Sequence, residues 1–162
     1  MAQKIGVKNS ASAKKNVEDI NAEKNIVKEA LTVYQKLCVN PIDLLRNSKK
    51  GLEAKAAIDF INLSGFTPAE FQETFKTTVK TIQNYNRNEL KLDAALSEKL
   101  LKSFILFEKG TAVFGSAENF SSWLRQPAFG LGNQIPFEIM DTITGINLID
   151  DELTRIAYGD LA

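Results

Sequence analysis

Two features of this sequence invite a chemical reading. They are one thiol, Cys38, and three consecutive carboxylates, Asp150, Asp151 and Glu152. A nucleophilic cysteine needs a base beside it, and the usual base is histidine. The 162 residues contain no histidine. That absence also removes the commonest metal ligand, and one cysteine leaves a zinc site without a ligand set. Cys38 therefore reads as a small apolar residue in a reducing, cytoplasmic setting, with a reactive thiol as the alternative. Carboxylates share acid and base work only when they face each other. Neighbours along a helix do not, so Asp150, Asp151 and Glu152 read as a solvated acidic face. Gly130 and Gly132 are too few and wrongly spaced for a phosphate loop and read as turn residues. No catalytic constellation, metal site or cofactor pattern emerges, so the chain reads as a binding protein with no cofactor rather than as an enzyme.

A second set of residues is suited to recognition. Thr78, Lys80, Thr81, Gln83, Asn84 and Arg87 are spaced to point away from the apolar positions Val79, Ile82 and Tyr85. Thr, Asn and Gln suit base edges, and Lys and Arg suit phosphates or guanine. The elements that must position them begin at Phe66-Thr67-Pro68-Ala69-Glu70. Thr67 is an N-cap, Pro68 takes the first helical position, and Glu70 completes a capping box. That helix is expected to run to about Thr74, with a turn and then a second helix from Thr78 to about Asn86. A packing helix over Ala54–Leu63, closed by Gly65, precedes them. This is the helix-turn-helix order, in which the second helix enters the major groove of DNA. A plain helical hairpin with a solvated outer face accounts for the same residues.

The remaining segments divide the chain into three parts. Residues 1–40 form a basic arm with Lys4, Lys8, Lys14 and Lys15, expected to be mostly mobile, with a helix near 25–38. Residues 41–95 hold the helix-turn-helix pattern, starting at the first-turn proline Pro41. Residues 96–162 start with a long helix, Leu96–Phe114, for which Ser97 is the expected N-cap. Its apolar residues spread over more than one face, as in a buried helix or a subunit contact. Leu101, Phe104 and Ile105 are the expected dimer contact. Gly115 ends this helix, Ser116 caps the next, and Phe120, Trp123 and Leu124 share a face. A glycine-bearing loop spans Ala128 to Gln134, a short helix starts at Pro136, and a last helix starts at Thr142 or Thr144. The expected class is all-α.

Charge is uneven along the chain although the total is zero. Residues 1–50 carry ten Lys/Arg against five Asp/Glu, and residues 110–162 carry two against seven. A basic front and an acidic back fit two different partners, one of them nucleic acid. No apolar run is long enough for a membrane span, and the Lys- and Asn-rich N-terminus, with no apolar h-region, does not read as a signal peptide.

From residue 41 onward the chain resembles the Xre/MbcA/ParS antitoxins, which bacteria pair with RES-domain toxins. The residues that carry the resemblance are Lys50-Gly51-Leu52, Gly65, Thr81, Ser97, Phe107, Phe114-Gly115-Ser116, Phe120, Trp123-Leu124 and Pro127. They continue through Leu131-Gly132, Pro136, Glu138, Asp141-Thr142, Gly145 and the segment Arg155 to Ala162. The resemblance implies an antitoxin that binds operator DNA as a dimer and represses its own operon. It further implies that the C-terminal half binds a NAD-degrading toxin and covers its active site. On this chain the toxin-binding role falls to Trp123, Arg155, Tyr158, Gly159, Asp160, Leu161 and Ala162. The partners so implied are a cognate RES-domain toxin, operator double-stranded DNA and a second copy of the chain, with no membrane. Where relatives carry basic residues after the recognition-helix threonine, this chain has Gln83, Asn84 and Tyr85, and the basic arm is a candidate source of phosphate contacts.

Overall fold

The computed structural model describes Glu29 and residues 31–159. The expectations for residues 1–28 and for Asp160, Leu161 and Ala162 lie outside the described residues. A short helix, α1, covers residues 31–36. It is followed by α2 (Pro41–Lys50), α3 (Lys55–Ser64), α4 (Pro68–Phe75), α5 (Val79–Arg87) and the long α6 (Ala94–Phe114). Then come α7 (Ala117–Leu124), a 3-10 turn at Phe129–Leu131, α8 (Pro136–Ile139) and α9 (Ile143–Ala157). Among the described residues the only extended pairings are the isolated bridges Glu53–Lys91 and Ala128–Gln134. The class is all-α, as expected. No helix of the described residues is long and apolar enough to cross a membrane.

Local chemistry starts and stops most of these helices. Asn40, Thr67, Thr78, Ser116 and Thr142 each accept a hydrogen bond from the backbone N–H three residues on. Such caps satisfy donors that the first helical turn leaves without partners. At Thr67 the box is reciprocal, because the Glu70 carboxylate accepts the Thr67 N–H at 2.8 Å. The long helix departs from expectation. It starts at Ala94, and its cap is Asp93, which accepts the Leu96 N–H at 2.9 Å. Ser97 is not a cap; it is fully buried inside the helix. Its hydroxyl accepts the Leu52 N–H at 2.9 Å, pinning the α2–α3 loop.

α6 is the axis of the molecule, with α2, α3, α7 and α9 packed around it. Leu100, Leu101, Phe104, Leu106 and Phe107 are buried along it. The expectation of a dimer contact at Leu101 and Phe104 is thereby corrected. Leu101 is enclosed by the chain's own core, and the Tyr34 ring of α1 stacks on Phe104 at 4.0 Å. Ile105 is half-buried. The helix is apolar on several faces because it has a neighbour of the same chain on each. The apolar side chains left exposed at the N-terminal end are Val33, Val39, Ile42 and Leu45, on α1, α2 and the link between them.

Two contacts fix α7 in place. Gly110 of α6 lies against the Phe120 ring, where a Cβ would overlap ring carbons. Arg125, just beyond α7, forms a two-point bridge to Glu70 of α4 at 2.8 and 3.0 Å and lies 5.7 Å from the Phe66 ring centre. The Arg125 hydrogen bonds, helped by Thr67, hold the Glu70 carboxyl below its ordinary range against the opposing effect of burial. Cys38 is half-buried, and burial with Asp43 nearby pushes its thiol up to about 11.

Gly110→Ala is expected to destabilise the fold by about 1–3 kcal/mol through overpacking against Phe120, read as a lower denaturant midpoint. Glu70→Gln is expected to lower stability by about 1 kcal/mol at neutral pH through loss of the cap and bridge. A depressed folded-state pKa contributes stability above the unfolded value and loses it as pH falls. The gap between wild type and Glu70→Gln should therefore shrink from about pH 5 toward pH 3; a gap that widens on acidification would contradict this assignment.

Candidate functional site

Two surfaces collect the residues suited to recognition. The first is the outer face of α5. Ile82 is buried and Val79 and Tyr85 are half-buried, which anchors the inner face. Lys80, Thr81, Gln83, Asn84 and Arg87 are exposed together, and Thr78 sits half-buried at the cap. Thr78 accepts the Thr81 N–H at 3.0 Å, and the two hydroxyls lie 2.9 Å apart. Thr81 is thus partly engaged in closing the first turn. Asn84 accepts from the Asn88 side chain at its own carbonyl, 2.8 Å away. Two cations, Lys80 and Arg87, remain on this face.

The turn between α4 and α5 is tied to the C-terminal part of the chain. Lys76, in the left-handed region at φ 56°, pairs with Asp141 at 3.1 Å. Behind it Lys99 of α6 donates to the Thr74 carbonyl at 3.1 Å and to the Asp141 carbonyl at 2.5 Å. Burial lowers the Lys99 pKa, with the Asp141 charge opposing it. The end of α4 and the corner between α8 and α9 therefore share one buttress. Lys76 is paired with Asp141 at the surface, its side chain still 62% exposed.

The second surface lies at the C-terminal end of α9. Lys109 of α6 grips the helix, donating to the Asp150 carbonyl at 2.9 Å and the Thr154 hydroxyl at 2.6 Å, and pairing with the Asp150 carboxylate at 2.9 Å. Trp123 is half-buried, its ring 5.3 Å from Phe114 and 5.9 Å from Phe120. It forms part of the platform beneath the module. Tyr158 is 84% exposed at the end of α9, and Gly159 follows at φ 72°.

The three adjacent carboxylates are not one solvated face. Asp150 pairs with Lys109, Asp151 is exposed, and Glu152 is 5% exposed. Glu152 bonds to Arg155 and lies against Gly130, where a Cβ would overlap its carboxylate. Arg155 also donates to the Gly130 carbonyl at 2.7 Å. Arg155 thus clamps the 3-10 turn onto α9. That turn displays Phe129, 80% exposed. Sequence reading missed Phe129 because a phenylalanine among turn residues looks like packing. Among the described residues no group of Cys, Asp and Glu is arranged to hold a metal ion.

With this geometry in view, residues 109–159 match the model of the antitoxin Xre/MbcA/ParS C-terminal toxin-binding domain. The chain is also similar to a Prs ADP-ribosylating antitoxin of Sphingobium sp. (strain YBL2). The two are 28% identical over 132 residues, covering 76% of this chain and 83% of that protein. The match covers the end of α6, α7, the clamped 3-10 turn, α8 and α9, and this segment is what the chain shares with the Xre/MbcA/ParS antitoxins.

Proposed function

We propose that this protein is the antitoxin of a RES-type, NAD-consuming toxin and neutralises it by steric occlusion, with no chemistry of its own. The observation that carries this reading is the match of residues 109–159 to a toxin-binding domain whose last helix presents an exposed Tyr158. The name of the Sphingobium relative speaks of ADP-ribosylation, chemistry that starts from NAD and so suits a NAD-consuming partner. In this reading Tyr158, Gly159, Asp160, Leu161 and Ala162 cover the toxin's active site in the cytoplasm. Trp123 builds the platform, and Arg155 holds the exit of α9. Small residues after a rigid helix enter a cleft at little steric cost.

The same reading gives the α4–α5 unit an operator. Thr78, Lys80, Thr81, Gln83, Asn84 and Arg87 face the major groove, and the chain represses its own operon as a homodimer. Paired copies suit paired half-sites. With Leu101 and Phe104 enclosed, the exposed apolar residues of α2, Ile42 and Leu45, support a contact at that end of the molecule. One observation favours a second reading, an inhibitor whose helix-turn-helix unit does not read DNA. The outer face of α5 offers only Lys80 and Arg87, and Lys76 is paired with Asp141.

Co-expression with the RES-type toxin encoded beside this gene should restore growth and yield a stable complex; no complex would end both readings. Removing residues 156–162 should abolish neutralisation while leaving operator binding intact, and an unaffected truncation would refute occlusion. A gel shift on the upstream promoter separates the two readings. In the first, Lys80→Ala should weaken binding across sequences and reduce the slope of log affinity against log salt by about one. Deleting residues 1–24 should also lower operator affinity if the basic arm touches phosphate.

A further inference from the structure

Within the toxin-binding segment, the exposed large apolar side chains of the described residues are Phe129, Leu148 and Tyr158. Phe129 stands out by how it is held. Its 3-10 turn is closed at the base by the Ala128–Gln134 bridge and leaves through two consecutive left-handed residues, Gly132 at φ 67° and Asn133 at φ 62°. Ala128, immediately before it, is buried. Gly130, immediately after it, is seized by Arg155 and lies against the buried carboxylate of Glu152. A side chain there would push the Glu152 carboxylate from its present place beside Arg155. An arginine, a buried acid and two left-handed positions thus fix the backbone beneath a phenylalanine that is itself in water. The clamp that holds Phe129 also lies one turn before Tyr158. Both aromatics therefore leave from a single rigid junction.

Fixed, exposed aromatic rings are what interface hot spots are made of. They bring large apolar area at little entropic cost, because the backbone is already ordered before binding. We propose that Phe129 is an anchor of the toxin interface, seated in an apolar pocket on the toxin's surface, and that Arg155 and Glu152 are positioning residues that aim it. This rests on the toxin-binding reading, and it moves part of the interface from the end of the chain to the 3-10 turn. The toxin is the occupant because Phe129 lies inside the matched toxin-binding segment and shares its clamp with α9.

The test measures affinity of the full chain for a catalytically inactivated RES-domain toxin. Phe129→Ala should weaken binding roughly 30- to 1,000-fold, the range of an aromatic hot spot. Phe129→Tyr should restore most of it, and the unfolding midpoint should not move because the ring is exposed. Arg155→Gln should weaken binding in the wild-type background and have little further effect when Phe129 is already alanine. If wild type binds and Phe129→Ala stays within about threefold, the anchor is refuted while toxin binding stands. If Phe129→Ala instead changes the oligomeric state of the free chain, the ring belongs to a contact between copies and the proposal fails. If Arg155→Gln costs the same in both backgrounds, Arg155 touches the toxin directly and the positioning role is refuted. If wild type does not bind at all, the toxin-binding reading itself falls.

Discussion

Phe60 meets four other phenylalanine rings edge-on, with centroids 5.2 to 5.7 Å away. Those rings belong to Phe66, Phe75, Phe104 and Phe107, and so to the α3–α4 loop, α4 and the long α6. Edge-to-face contacts are directional, and each ring restricts the tilt of the next. The chain continues from Phe107 to Phe120 at 4.9 Å and from Phe66 to Phe137 at 5.4 Å. One aromatic network therefore runs from α3 and α4 through α6 into α7 and α8. The buried residues on both sides of α6 form one core.

The polar contacts around that network are few but lie at joints. Ser121 donates to the Ser64 carbonyl at 2.6 Å across a buried boundary, and Ser97 receives the Leu52 N–H. Lys99, Lys109 and Arg125 each reach from one part of the chain to backbone or carboxylate oxygens of another. Buried polar atoms left without partners cost stability, and here they mostly bond to loop ends and helix ends. Several loops are in this way tied to distant segments, the 3-10 turn among them.

The parts legible in the sequence were those governed by neighbours. Thr67, Pro68 and Glu70 announce a helix start because a cap needs only side chains three residues apart. The same holds for Ser116 and Thr142, and for the glycines that end α3 and α6. Misreadings arose where a distant segment decides. Asp93 and Ser97 are both able to cap, and only the arrival of Leu52 at Ser97 determines which one does. Phe104 looks like a contact residue until Tyr34, far upstream, covers it. Glu152 looks solvated beside two aspartates until Gly130 closes over it. Phe129 could have been suspected only from its isolation among turn residues, a pattern that is equally common in packed loops.

The bond between Lys76 and Asp141, backed by Lys99, has a geometric consequence. It joins the turn before α5 to the corner before α9, and Lys99 of α6 donates to the backbone of both segments. The end of α4 and the start of α9 are thus tied to one another through a single side chain of the central helix.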